Sequence, residues 1–181
     1  MIDKNEVEDT LYELLVGQSD VEKTIVKDVV ENVDLIPSNV NLSGAEIELV
    51  GIDNKEYILK EITDKIKNNY DYIIIDCPPA LGLLNTNALT AADSVLIPVQ
   101  CEYYALEGLT QLLNTILLTQ SVFNRNLTIE GVLLTMLDSR TNLGVEVTQE
   151  VRKYFKDKVY KTVIPRKCKA LRSTFCRSFN L

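Results

Sequence analysis

Tyr72-Ile73-Ile74-Ile75-Asp76-Cys77-Pro78-Pro79-Ala80-Leu81-Gly82 is the stretch on which the reading of the fold turns. Four apolar residues in a row, closed by an acid and two prolines, read as a strand buried on both faces, the habit of parallel sheets. A carboxylate at the carboxyl end of such a strand stands at the rim where α/β sheets bind ligands. The prolines end the strand and stiffen the turn. Gly82 offers a backbone N–H that a phosphate can approach with no Cβ in the way.

In nucleotide hydrolases an acid so placed holds Mg²⁺, usually through water, because magnesium keeps much of its hydration shell. Asp76 has a second reading, as a cap on the helix that follows the proline turn. The wider pattern is needed to choose between them.

Outward from this stretch, strands and helices alternate. Val7, Leu11, Leu14 and Leu15 give a helix over 6–16 one apolar face, with Gly17 as its stop. Residues 21–30 read as another helix, and 33–37 as a brief strand ended by proline. Helices are expected over 43–50, 83–92, 104–122 and 145–155. A clear amphipathic one is expected over 55–67, where Ile58, Ile62 and Ile66 recur every fourth residue. Strands are expected over 94–99, buried on both faces, and over 127–137 and 159–164. The intervals suit right-handed parallel crossovers, so the fold class is α/β, a doubly wound, mostly parallel sheet.

Composition narrows the function. The 181 residues hold no histidine, which removes Ser-His and Cys-His nucleophile pairs and histidine-ligated metals. Cys77, Cys101, Cys168 and Cys176 show no C-x-x-C spacing; Cys77 and Cys101 lie beside apolar strands and read as reduced packing residues. No apolar run approaches the roughly 18–20 residues that cross a bilayer, and the start has no signal-peptide pattern, so a cytoplasmic protein is expected. The net charge of −7 is uneven. Residues 1–139 carry 8 basic and 23 acidic side chains, and residues 140–181 carry 11 and 3. The basic rear has two readings, a surface for a polyanion and a solvated helix face.

The Asp76-Cys77-Pro78-Pro79 string with Gly82 resembles the Walker B and switch II segment of the ParA/Soj/MinD family of deviant-Walker ATPases. Leu42-Ser43-Gly44-Ala45-Glu46-Ile47-Glu48-Leu49 is similar to the segment ahead of that strand. Pro98-Val99-Gln100-Cys101-Glu102-Tyr103-Tyr104-Ala105-Leu106-Glu107-Gly108-Leu109 is similar to the strand-to-helix turn of Soj. Residues 131–138, 140–143 and 159–166 match again, and the resemblance covers residues 1–166. It implies ATP and Mg²⁺ as cofactors and an ATP-dependent homodimer that binds nonspecific DNA on the nucleoid. It also implies stimulation by a ParB/Spo0J-type partner and no membrane. On this resemblance Asp76 is the Mg²⁺ carboxylate, Gly82 the switch glycine, and Pro165 and Arg166 lie against the adenine. Arg140, Arg152, Lys153 and Lys156 are the candidates for DNA phosphates, each with ordinary surface charge as its other reading. Tyr103, Tyr104 and Leu106 read as core or dimer-contact residues.

The sequence departs from the family in two places. The family opens with a strand, a K-G-G-x-G-K-T-T loop and a D-x-D-P-Q segment; none is present, and no G-x-x-x-x-G-K-[ST] occurs anywhere. That loop supplies backbone N–H groups and a lysine to the β- and γ-phosphates. The expectation is a P-loop NTPase fold without its first strand and phosphate loop, and a chain with no intact catalytic residues. After Arg166 the sequence leaves the family's string. One choice of codons for residues 167–180, read one base later, gives Asn-Val-Lys-Leu-Tyr-Glu-Ala-Pro-Ser-Val-Gly-His-Leu, so 167–181 is expected to be an out-of-frame tail. Two alternatives stay open. One is a MinD-like membrane-associated ATPase, suggested by Leu171, Phe175 and Phe179 at every fourth position of the basic tail. The other is a non-catalytic interaction module.

Overall fold

Thr10 starts the first helix by a reciprocal cap. Its Oγ1 accepts from the Tyr12 N–H at 3.3 Å, and its own N–H donates to Glu13 Oε2 at 2.7 Å. Helix α1 (Leu11–Leu15) follows, and Gly17 at φ +75° turns the chain out of it. The computed structural model describes residues 9–78, 82–102, 105–138 and 140–166. The tail at 167–181, with its expected helix of Leu171, Phe175 and Phe179, lies outside the described residues, as do Tyr103, Tyr104, Cys168 and Cys176. Among the described residues no helix is long and apolar enough to cross a membrane.

The chain divides into two units. One runs up to Asp93 and takes in Thr115–Leu127; the other holds Ser94–Asn114 and the chain from Thr128 onward. The first contains α1, α2 (Val21–Thr24), a hairpin of β1 (Val26–Val30) and β2 (Val33–Leu35), then α3 (Leu42–Glu48), α4 (Ile58–Ile66) and α5 (Leu83–Ala91). Its core is Leu14, Leu15, Val21, Ala45, Leu59, Ile62, Ile66 and Ala88. Ile62 and Ile66 lie on one face of α4, as their spacing requires, and burying each contributes about 1.5–3 kcal/mol.

Two expectations for this unit are corrected. The helix expected over 21–30 stops at Thr24, and Val26–Val30 pairs antiparallel with Val33–Leu35. Val26, Val29 and Val30 are β-branched and favour a strand, and Asn32 at φ +60° makes the tight return that pairs them. The run 72–75 forms no strand either. Tyr72 and Ile74 are 86% and 91% exposed, and of the four only Ile75 packs against the core. A strand exists through its ladder, and no described segment offers one to this run.

The second unit is a parallel sheet in the order β3 (Ser94–Gln100), β4 (Thr128–Leu137), β5 (Val159–Pro165). The crossovers are α6 (Ala105–Val122), which has residues in both units, and α7 (Asn142–Phe155). Central β4 buries Val132 and Leu134 completely, and Val151 of α7 is buried in the same unit. β3 was expected to be covered on both faces. It buries Ile97 and Val99 while Leu96, just ahead of them, is half exposed, so within its unit it is an edge strand with one covered face.

Candidate functional site

Asp76 ends the exposed run with its carboxylate in solvent, taking no hydrogen bond from a described residue. It does not cap α5. That helix begins after Gly82, and the Leu84 N–H of its first turn donates to Glu46 Oε1 of α3 at 3.2 Å. The cap reading of Asp76 therefore fails. A Cβ built on Gly82 would overlap Glu46 Oε1, so any other residue there would make this carboxylate move. Asn85, buried one turn in, donates through Nδ2 to the Pro78 carbonyl at 3.1 Å. The Thr86 N–H and hydroxyl both donate to the Gly82 carbonyl, at 3.1 and 3.2 Å. Pro78 and Gly82 are thus both tied to α5, two residues beyond Asp76 and at the helix start.

Among the described residues no three acids or cysteines stand close enough to form a metal cage. A single free carboxylate suits a hydrated Mg²⁺ shared with phosphate oxygens, and does not suit an all-protein calcium or zinc site. Cys77, expected to pack, is exposed beside Asp76, and its Sγ donates only to the Ile75 carbonyl, at 3.7 Å, among the described residues. Cys101 is free and buried, as expected.

In the second unit the carboxyl ends of the parallel strands gather charge. Glu102 follows β3, Asp138 follows β4 and Arg166 follows β5. Arg166 Nη1 lies 3.2 Å from Glu102 Oε1, and its N–H donates to the Leu137 carbonyl at 2.9 Å, beside the Leu137–Pro165 pairing. Arg140 binds Asp138 in a fork, Nε to Oδ1 at 2.8 Å and Nη2 to Oδ2 at 2.6 Å. These bonds, with the Arg140 N–H, hold the Asp138 carboxyl well below the usual carboxylate range. A hollow of about 340 Å³ opens beside this rim, lined by Val99, Gln100, Glu102, Ala105 and Leu109.

The four basic candidates differ. Arg140 is engaged by Asp138, although its side chain remains largely exposed. Arg152 and Lys153 occupy the last turn of α7, where cations complement the helix dipole. Lys153 has only a loose approach to Glu150 at 3.9 Å. Lys156 follows at φ +47°, exposed like Arg152. Leu106 is exposed on α6, which removes its core reading and leaves the dimer-contact one. Sequence reasoning missed Glu46 and Asn85. Glu46 stood inside the quoted Leu42–Leu49 segment, but nothing in its spacing says that its carboxylate reaches a helix start 38 residues away.

The sequence pattern of a family described as an AAA domain matches residues 1–129. The sporulation initiation inhibitor protein Soj of Bacillus subtilis is 63% identical over 165 residues, 91% of this chain and 65% of that protein. The chain belongs to the ParA/Soj family of chromosome-partitioning ATPases. The chromosome partitioning protein ParA of Myxococcus xanthus is 47% identical over 178 residues, 98% of this chain and 62% of its own length. Among solved structures, the cobyrinic acid a,c-diamide synthase of Mycobacterium smegmatis, with bound ATP analogue and magnesium, superposes with a TM-score of 0.83. It is 37% identical, and the match covers 91% of this chain and 67% of that one. The chain thus spans less than two thirds of these two curated relatives, and its fold is the α/β fold of P-loop NTPases.

Proposed function

We propose that this chain carries the magnesium and switch half of a ParA/Soj-type partitioning ATPase, and that by itself it does not turn over ATP. The observation that carries the reading is the arrangement of Asp76 with Gly82. A free acid follows the exposed apolar run 72–75, and the next helix start is fixed by Glu46 and Asn85. Asp76 would hold hydrated Mg²⁺, and the Gly82 N–H would meet the γ-phosphate. Pro165 and Arg166, at the end of β5, would lie against the adenine. When bound, magnesium neutralises charge on the phosphate oxygens. The sequence contains no phosphate loop, and removing a single stabilising donor of that kind costs about 10²–10³ in rate. Turnover is therefore expected only when such a loop is supplied.

The same reading assigns an ATP-dependent dimer, nonspecific DNA contacts through Arg152, Lys153 and Lys156, and a ParB-type partner in a cytoplasmic, nucleoid-associated system. Arg140 belongs to that surface only if DNA phosphate replaces Asp138. The reading is carried by residues up to 166. It is tested by co-expressing the chain with a segment bearing the strand and K-G-G-x-G-K-T-T loop, then titrating a fluorescent ATP analogue with and without Mg²⁺. Binding should depend on magnesium and weaken by about tenfold or more in Asp76→Ala. Binding indifferent to both would overturn the assignment.

A further inference from the structure

Glu46 is a half-buried acid on α3, a helix that carries none of the site residues named above. Its carboxylate does two things at once. Oε1 accepts the Leu84 N–H at 3.2 Å, and both oxygens with Cδ fill the space that a Cβ on Gly82 would need. α3 is itself anchored, since Ala45 is fully buried in the core cluster to which Ala88 of α5 also belongs. The carboxylate therefore reaches the helix start from a fixed base. An acid at the first turn of a nine-residue helix is favoured by the helix dipole and satisfies a donor otherwise left open.

We propose that Glu46 is a positioning residue for the switch glycine: from α3 its carboxylate fixes the first turn of α5, and with it the direction of the Gly82 backbone N–H. This rests on the reading of Gly82 given above. Two features support a role in positioning over simple packing. The carboxylate occupies the site a Cβ at 82 would take, so a larger residue there would displace it from the Leu84 N–H. Pro78, the last described residue ahead of Gly82, is held independently, by Asn85 Nδ2 on its carbonyl. A backbone N–H that must meet a developing phosphate charge gains from being fixed beforehand, since an error of about 1 Å can cost on the order of 10²-fold in rate.

The test has two arms. The first is hydrogen exchange by mass spectrometry on the 181-residue chain, read over residues 82–90. Glu46→Ala should lose protection at the helix start, and Glu46→Gln, which keeps an acceptor oxygen, should retain it. Gly82→Ala should lose it too, by pushing the carboxylate away, and the double variant should be no worse than either single one. The second arm is ATP turnover with a phosphate-loop segment supplied. Here Glu46→Ala should lower kcat by on the order of tenfold while KM changes little, and Glu46→Gln should restore most of the rate. Unchanged protection in Glu46→Ala, or lost protection with an unchanged kcat, would overturn the proposal. Turnover that ignores Asp76→Ala would instead remove the magnesium assignment and leave the Glu46 contact standing. No turnover in any form would overturn both.

Discussion

Asn87 of α5 holds the start of α4 through Leu59: its Oδ1 accepts the Leu59 N–H at 3.0 Å, and its Nδ2 donates to the Lys55 carbonyl at 2.8 Å. The side chain is 1% exposed, so these groups have no water to turn to. Asn87→Ala should destabilise the first unit by about 1–3 kcal/mol for each backbone group left buried and unpaired. Asn87→Asp keeps the acceptor and loses the donor, and should fall between Ala and the parent chain. Chemical denaturation read by far-ultraviolet dichroism would order the three.

A second expectation concerns acid. The Lys27 ammonium, 2.8 Å away, and the Tyr70 hydroxyl, at 2.6 Å, lower the Asp34 carboxyl to about 2, with help from the Asp28 N–H. A carboxyl whose folded value lies below its unfolded value of about 3.9 stabilises fully above that pH and loses its contribution as pH falls toward the folded value. The hairpin should therefore weaken between about pH 4 and about pH 2. The Lys27 partner is exposed, so the effect is modest and screened by salt. Asp34→Asn should flatten that part of the stability profile; an unchanged profile would show that the clamp contributes nothing.

Most elements were legible because their signals are local. The every-fourth isoleucines of α4, the apolar runs of β3 and β4 and the Gly17 stop all appear where the pattern places them. Two elements failed for non-local reasons. Valines at every third or fourth position over 26–30 suit a helix face as well as a strand, and the Asn32 return that pairs the two strands settles the choice. The run 72–75 has the composition of a strand, but a strand needs a neighbour that composition cannot supply. At the site, Asp76 and Gly82 were legible from their own string. Glu46, Asn85 and the Arg166–Glu102 pair depend on contacts between segments distant in sequence, and no periodicity encodes those.

The bare run leads to a third expectation. Tyr72 and Ile74 lie open to solvent, and among the described residues β3 has a strand partner on one side only, with Leu96 half exposed. Unpaired apolar backbone recruits other chains. The purified chain should run as an oligomer in size exclusion with light scattering, and Ile74→Lys should shift it toward the monomer. A monodisperse parent chain would show these surfaces to be harmless.

DNA binding should be weak and strongly salt-dependent. Arg152, Lys153 and Lys156 can neutralise only a few phosphates, and each one removed should reduce the salt slope by about 1. Fluorescence anisotropy on two unrelated duplexes, over a salt series, would check both the slope and the indifference to sequence. A tight preference for one duplex would contradict the assignment of this surface.

The central claim is that Asp76 and Gly82 form half of a nucleotide site that needs a phosphate loop to work. Phosphate release from Mg·ATP measures it most directly, first with the 181-residue chain alone and then with the loop-bearing segment supplied. Background release from the chain alone, with turnover that appears on adding the segment and disappears in Asp76→Ala, is the predicted result. Robust hydrolysis by the chain alone, abolished by Asp76→Ala, would contradict it.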